Sequence, residues 1–396
     1  MNEVVIAAAK RTAIGSFGGA FGKVSPVDLG ANTMEAVLAE SGLSGDDLDC
    51  YIMGNVLRAG HGQLLPRQAA LKAGISEAVD GFAIDMVCSS AMMAVINGAA
   101  LIRSGDAETI LVGGMESMSQ AGFVMSAQGR WGHKYLPKPA EFHDVVAIDG
   151  LTDPTNGQMM GEETEQLNEA RNLTREQLDQ VTVDSHQKAA QARDAGAFKD
   201  EISPFVVSSR KGDVVVDTDE IIRDTTTLET LGKLRPVFAK DGLLTAGNSS
   251  ALSDGAAAMI LTTRENAKKR GLPILGTFVL GTWAAVEPWR FIEAPITATT
   301  KLLDRLDLQP DDVDLYENNE AFSTSNVLFK DGLGIEDAKL NRNGGALALG
   351  HPIGCSGARL VVTLLHALRQ DGGGRGLASL CHGVGGGTAV VIETEG

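Results

Sequence analysis

Cysteine is scarce in this 396-residue chain: it has four, Cys50, Cys88, Cys355 and Cys381, and no two form a C-x-x-C pair. So few dispersed thiols exclude a disulfide framework, and a reducing, cytoplasmic setting is expected, where each cysteine serves packing or chemistry. Positive charge is short as well. Lys and Arg number 34 against 51 Asp and Glu, a formal charge of −17, and nucleic acid or anionic membrane would repel so acidic a chain at long range. Long apolar runs are missing too. The longest, residues 91–102, is interrupted by Asn97 and Gly98 and falls short of the ~20 residues that span a bilayer. The first, Val4 to Ala9, follows Glu3 rather than a basic segment and reads as a strand, not a signal peptide. What remains is the composition of a globular protein with room for two or three domains, 43% hydrophobic and 21% charged.

The chain echoes itself. GLSGDDLDCY at 42–51 and DLQPDDVDLY at 307–316 share a D-D-apolar-D-x-Tyr core. At nearly the same offset, Cys88-Ser89-Ser90-Ala91 and Cys355-Ser356-Gly357-Ala358 each open an apolar helix followed by a short turn and an apolar strand. Two matches in the same order indicate a duplicated unit. Within each half, β-rich runs such as EVVIAAA, YIMGNV, FAIDMV and ETILVGG alternate with segments of helical length and period. That alternation predicts βαβ units on a mostly parallel sheet. The helices after Cys88 and Cys355 are apolar nearly all round, which predicts a place between layers. Residues 119–244 differ in character, with Pro, Trp and His early and helices rich in Glu, Gln and Arg later. The expected organisation is one half at 1–118 and 245–268, an insertion at 119–244 that builds loops over a site, and a second half at 269–396.

Four segments could carry chemistry. Cys88 follows a strand and begins a buried helix, where the helix dipole would lower its pKa and make it a nucleophile; alternatively it is a small residue at a crowded helix start. NGGALALGHPIGCSG at 343–357 sets one histidine among five glycines. Pro352 favours an extended His351, which would aim its ring, although a lone His in a turn can be structural. CHGVGGG at 381–387 puts a second thiol and free backbone N–H groups at a strand end. Asn319, in the Asn-Glu-Ala-Phe run at 319–322, would add an amide, or is merely a turn residue.

Taken together these segments resemble the signature blocks of the thiolase family: Cys88 with its helix, NEAF at 319–322, GGALALGHPIGCSGAR at 344–359 and CHGVGGG at 381–387, in the family's order and spacing. The resemblance runs from VVIAAAKRTAIGSFGG near the start through LTAGNSSALSDGAAA at 244–258. It implies a five-layered αβαβα fold of two similar halves with an inserted loop domain. It also implies cleavage or formation of the carbon–carbon bond of a short 3-ketoacyl-CoA through an acetyl-cysteine. Cys88 would carry the acyl group, His351 activate it, and Cys381 act as acid and base on the second substrate. Asn319 with His351 would form one oxyanion hole through a water, and the N–H groups of Cys88 and Gly383 the other. Acetyl-CoA, acetoacetyl-CoA and CoA are the expected substrates and products, with no further cofactor and no metal. For CoA the resemblance points to Arg223 at the adenosine end, unless it is a solvated surface charge, and to Ala246 and Ser250 along the pantetheine. With Lys233 and Arg235, Arg223 could reverse the −17 field at the CoA phosphates.

The run DGLTD at 149–153 and Met160-Gly161 are more like the short-chain biosynthetic members, and Met159, Met160, Phe322 and Phe291 are expected to close the acyl pocket. Family members are dimers or tetramers, and 119–137 resembles a tetramerisation loop. Departures from the family pattern lie at His382, Cys355, Ser89, Ala91 and WRFIEAP at 289–295, which leave acyl preference open; His382 could tune Cys381 or simply pack. The alternatives are a degradative thiolase of broader chain length, a decarboxylating ketoacyl synthase, a non-catalytic acyl-CoA binder, and a zinc site of Cys88, His351, Cys355, Cys381 and His382. The synthase is disfavoured by a cysteine where that class has a second histidine, and the zinc site by unsuitable spacing.

Overall fold

The computed structural model describes residues 2–132, 141–210 and 212–395. Nine strands form one hydrogen-bonded path: β1 (Val4–Arg11), β2 (Cys50–Gly54), β3 (Gly81–Ile84), β4 (Thr109–Ser117), β5 (Ser253–Thr263), β6 (Gly276–Ala285), β7 (Leu315–Asn318), β8 (Gly374–His382) and β9 (Gly386–Thr394). Their order is β7-β8-β9-β6-β1-β5-β4-β2-β3. Read outward from the centre, β1-β5-β4-β2 and β6-β9-β8-β7 have the same pairings: antiparallel, antiparallel, then parallel. The duplication in the sequence is therefore a duplication of topology, and the equivalent strands β1 and β6 meet antiparallel over Val4–Ile6 and Gly276–Phe278. The sheet is mixed rather than mostly parallel. Hydrophobic alternation reports layers but not strand direction, and the last strand of each half returns antiparallel: β9 after a three-residue turn, β5 after the long insertion.

Helix formation follows local signals. In α1 (Pro26–Ser41) the Ser25 side chain accepts the Asp28 N–H, Pro26 occupies the first turn, and Gly42 closes the end at φ 73°. The two apolar helices, α2 (Ser90–Ser104) and α3 (Ser356–Gln370), pack on each other and touch strands of both halves, so they form the middle layer. Helices Pro26–Ser41 and Ala294–Leu306 cover the outer faces of the two halves. By length and composition residues Val87–Ser104 could cross a membrane, but 61% of that window is buried, and a position between layers accounts for its apolarity. Arg359, in the first turn of α3, is fully buried and donates to Glu317 at 3.3 Å.

Glycine allows the middle layer to close. A Cβ on Gly357 would lie 2.4 Å from the Met92 nitrogen, and one on Gly114 2.3 Å from the Gly354 carbonyl, so both helix starts and the loop before α3 can approach the sheet ends.

The insertion is tied to both halves by a buried ion cluster. Arg11 of β1 bonds Glu201 at 2.6 Å and Asp219 through two nitrogens at 2.7 and 2.9 Å, while Thr363 of α3 donates to Glu201. Burial alone would lower the Arg11 pKa, but the two carboxylates outweigh it and hold the guanidinium charged. Arg11→Met leaves two buried carboxylates without their cation and is expected to cost about 3–5 kcal/mol of unfolding free energy. Urea denaturation monitors it; an unchanged midpoint would mean that the cluster contributes no net stability.

Candidate active site

Cys88 stands in a strained turn between β3 and α2. The residue before it, Val87, has φ 49°, a region that β-branched residues rarely enter. Ser90 locks the turn: its hydroxyl donates to the Val87 carbonyl at 2.6 Å and accepts the Met86 N–H at 2.9 Å. His351 comes from the loop ahead of α3, and its backbone N–H reaches Ser253 Oγ at 3.1 Å. The two side chains meet at 3.3 Å between His351 Nε2 and Cys88 Sγ.

A residue not singled out by sequence sets the ring. Ser356 donates its hydroxyl hydrogen to the Pro352 carbonyl at 2.9 Å and lies 2.5 Å from His351 Nδ1. Its hydroxyl is thereby left as an acceptor, so Nδ1 carries the ring proton and Nε2 offers its lone pair to the thiol. A serine opening a helix reads as a cap, which hid this role. Glu116, also missed, accepts N–H groups from Val56, Leu57 and Gly354 and fixes the loops behind the pair; burial raises its pKa to about 7.

The electrostatics correct one expectation. The Cys88 thiol is not poised as a thiolate: burial, reinforced by nearby Cys381 and Glu116, holds its pKa well above the ordinary value. The helix proper begins at Ser90, two residues further on, and does not offset the loss of water. Burial likewise lowers the His351 pKa to about 3, with the positive charge of Arg359 adding to it. The resting pair is a neutral thiol and a neutral imidazole. Proton transfer must then accompany attack rather than precede it.

Cys381, near the end of β8, is 1% exposed and packs in an apolar cluster with Met160, Phe291 and Phe322; burial pushes its pKa up to about 12. Asn319 Nδ2 lies 3.5 and 3.4 Å from the two ring nitrogens of His351, too long for strong bonds. Its Oδ1 is buried without a hydrogen-bond partner among the described residues.

An apolar cavity of about 360 Å³ leads to the pair, with Cys88, His351, Met159, Met160, Phe322 and Phe238 among its walls. Ala246 and Ser250 line it as well. Phe291 does not; it packs behind, fully buried. Gly383 lies in an adjoining cleft that shares Met160 with the cavity. Arg223 is exposed, outside the cavity lining, and donates its backbone N–H to His186 Nδ1 at 3.2 Å. Lys233 pairs with Glu229 at 2.7 Å. Among the described residues no group of three or more His, Cys, Asp or Glu side chains could hold a metal ion.

A buried Cys–His pair at facing helix starts, with a second thiol nearby in a duplicated αβαβα fold, is the arrangement of a thiolase, and the chain belongs to that family. The thiolase N-terminal domain matches residues 4–265 and the thiolase C-terminal domain residues 272–394. Among curated relatives, the acetyl-CoA acetyltransferase of Synechocystis sp. is 57% identical over 394 residues, covering 99% of this chain and 100% of that protein. That of Rhizobium meliloti is 44% identical, covering 99% and 98%. The crystal structure of the Bacillus anthracis acetyl-CoA acetyltransferase superposes with a TM-score of 0.96 at 39% identity, covering 100% and 99% of the two chains. A thiolase from Ascaris suum in complex with coenzyme A gives 0.93 at 36% identity, covering 99% and 100%.

Proposed function

We propose that this thiolase condenses two acetyl-CoA into acetoacetyl-CoA and CoA, reversibly, through an acetyl group on Cys88. The observation that carries the reading is the 3.3 Å contact of His351 Nε2 with Cys88 Sγ at the wall of an apolar cavity. Cys88 attacks the thioester carbonyl while His351 Nε2 takes its proton. The departing CoA thiolate takes a proton from Cys381, leaving the Cys381 thiolate. That thiolate, unusually basic because it is buried, removes a proton from the methyl of the second acetyl-CoA. The carbanion attacks the acetyl carbonyl, and Cys88 leaves and recovers its proton from His351. In both additions an oxyanion forms that preorganised donors must stabilise. Asn319, whose buried Oδ1 is free to hold a water, would serve one with His351, and the N–H groups of Cys88 and Gly383 the other.

CoA and its thioesters are substrates here, and no cofactor enters any step. Arg223 is assigned to the adenosine end, outside the cavity along which Ala246 and Ser250 guide the pantetheine. Self-association into dimers or tetramers is supported by exposed Phe123 and Phe142, carried on the paired strands Phe123–Met125 and Phe142–Asp144. The end of that loop, 133–137, lies outside the described residues. A reducing, cytoplasmic location suits four free cysteines, two of which must stay thiols to act.

Chain length tests the reading against a broader degradative thiolase. An open apolar pocket gains up to ~0.8 kcal/mol per buried CH₂, so two more carbons would raise kcat/KM roughly tenfold. A pocket closed by Met159, Met160 and Phe322 must repack instead, at ~1–3 kcal/mol. The expected result is a fall of about tenfold or more in kcat/KM from 3-ketobutyryl-CoA to 3-ketohexanoyl-CoA, narrowed by Met160→Ala. Equal or rising values in the wild type would transfer the assignment to the degradative class.

A further inference from the structure

We propose that His382 is a positioning residue for acyl transfer: its imidazole holds a strained turn that sets Gly383, one of the two backbone donors of the second oxyanion hole. The inference rests on the thiolase reading above.

The turn joining β8 to β9 is Gly383-Val384-Gly385. Val384 has φ 64° and Gly385 φ 82°. Glycine adopts that region freely, but for a branched valine it is an outlier that surrounding structure must impose. Two contacts impose it. On the far side, Val286 donates its N–H to the Gly385 carbonyl at 2.7 Å. On the near side, His382 Nδ1 lies 2.8 Å from the Gly383 carbonyl; a carbonyl only accepts, so Nδ1 carries the proton. The ring is seated on Gly386, where a Cβ would fall 1.9 Å from His382 Nε2. Any side chain at 386 would evict the ring.

The same device stands across the cleft. Val87 and Val384 line it together with Gly383. Each adjoins a proposed N–H donor, Cys88 or Gly383, and each is a valine at positive φ whose turn is held by a neighbouring side chain, Ser90 in one case and His382 in the other. Successive side chains of a strand point to opposite faces, so His382 does not share the apolar surroundings of Cys381. It acts on the turn rather than on the thiol.

The test is single-turnover acetylation of Cys88 by acetyl-CoA, followed by rapid quench and mass spectrometry, with steady-state KM measured alongside. His382→Ala is expected to slow acetylation about tenfold to a hundredfold, less than the ~10²–10³ lost with an oxyanion donor itself, and to leave the KM for acetyl-CoA within about twofold. His382→Asn, whose Nδ2 takes the place of the ring Nδ1, is expected to restore most of the rate. Val384→Gly added to His382→Ala is expected to restore it to within about threefold, because glycine keeps the turn without the clamp. A wild-type rate in His382→Ala, a loss appearing in KM, or no recovery with Val384→Gly would overturn the inference. A wild-type enzyme that takes up no acetyl group would overturn the thiolase reading itself, and this one with it.

Discussion

Cys88→Ser is expected to abolish thiolysis of acetoacetyl-CoA, with kcat falling on the order of 10⁴-fold or more, the scale of loss when a covalent nucleophile is removed. The size follows from the resting state of the pair. The thiol is buried and protonated, and the base in contact with it is an imidazole whose pKa burial has lowered to about 3. So weak a base can take a proton only from a group that becomes acidic as it attacks. Sulfur remains a strong nucleophile under those conditions, whereas a serine hydroxyl, much less acidic, must surrender its proton to the same base. Loss of absorbance from enolised acetoacetyl-CoA on adding CoA measures the rate. Activity within tenfold of wild type would remove Cys88 from the mechanism.

Cys381→Ala is expected to separate the two halves of the reaction. Acetylation of Cys88 should persist, because Cys88 and His351 are untouched and any solvent acid can protonate departing CoA. Condensation should fall ~10²–10⁴-fold, the usual cost of losing a general base. The effect belongs at the upper end of that range, since burial makes the Cys381 thiolate far more basic than a carboxylate, and water brought in by the smaller alanine is no substitute. Acetyl-enzyme measured by mass and acetoacetyl-CoA measured by coupled reduction give the two rates separately. Condensation at the wild-type rate would take Cys381 out of the proton transfers.

Much of this was legible in the sequence because it is written in local pattern. The helix after Cys88 is apolar nearly all round, and its place between layers follows from that. The repeated D-D-apolar-D-x-Tyr segments do lie at equivalent points, each forming a short 3₁₀ turn before β2 or β7. Strand direction was not legible, since alternation looks the same for a parallel strand and an antiparallel one. The ionisation of Cys88 was misjudged for a related reason: position at a helix start is a sequence property, whereas desolvation depends on everything packed around the thiol. Ser356 and Glu116 escaped notice because their partners, backbone groups, the Asn55 amide and a ring, are brought near only by folding. Arg223 remains where sequence reading left it, assigned to CoA by likeness, on the surface and away from the cavity wall.

The most direct measurement is a peptide mass map of the wild-type enzyme quenched after mixing with acetyl-CoA alone. One acetyl group on the Cys88 peptide, with release of one CoA per chain, is expected. An adduct on Cys381 or Cys355 instead, or acetoacetyl-CoA formed with no acetyl-enzyme at any time point, would contradict a mechanism built on Cys88 and His351.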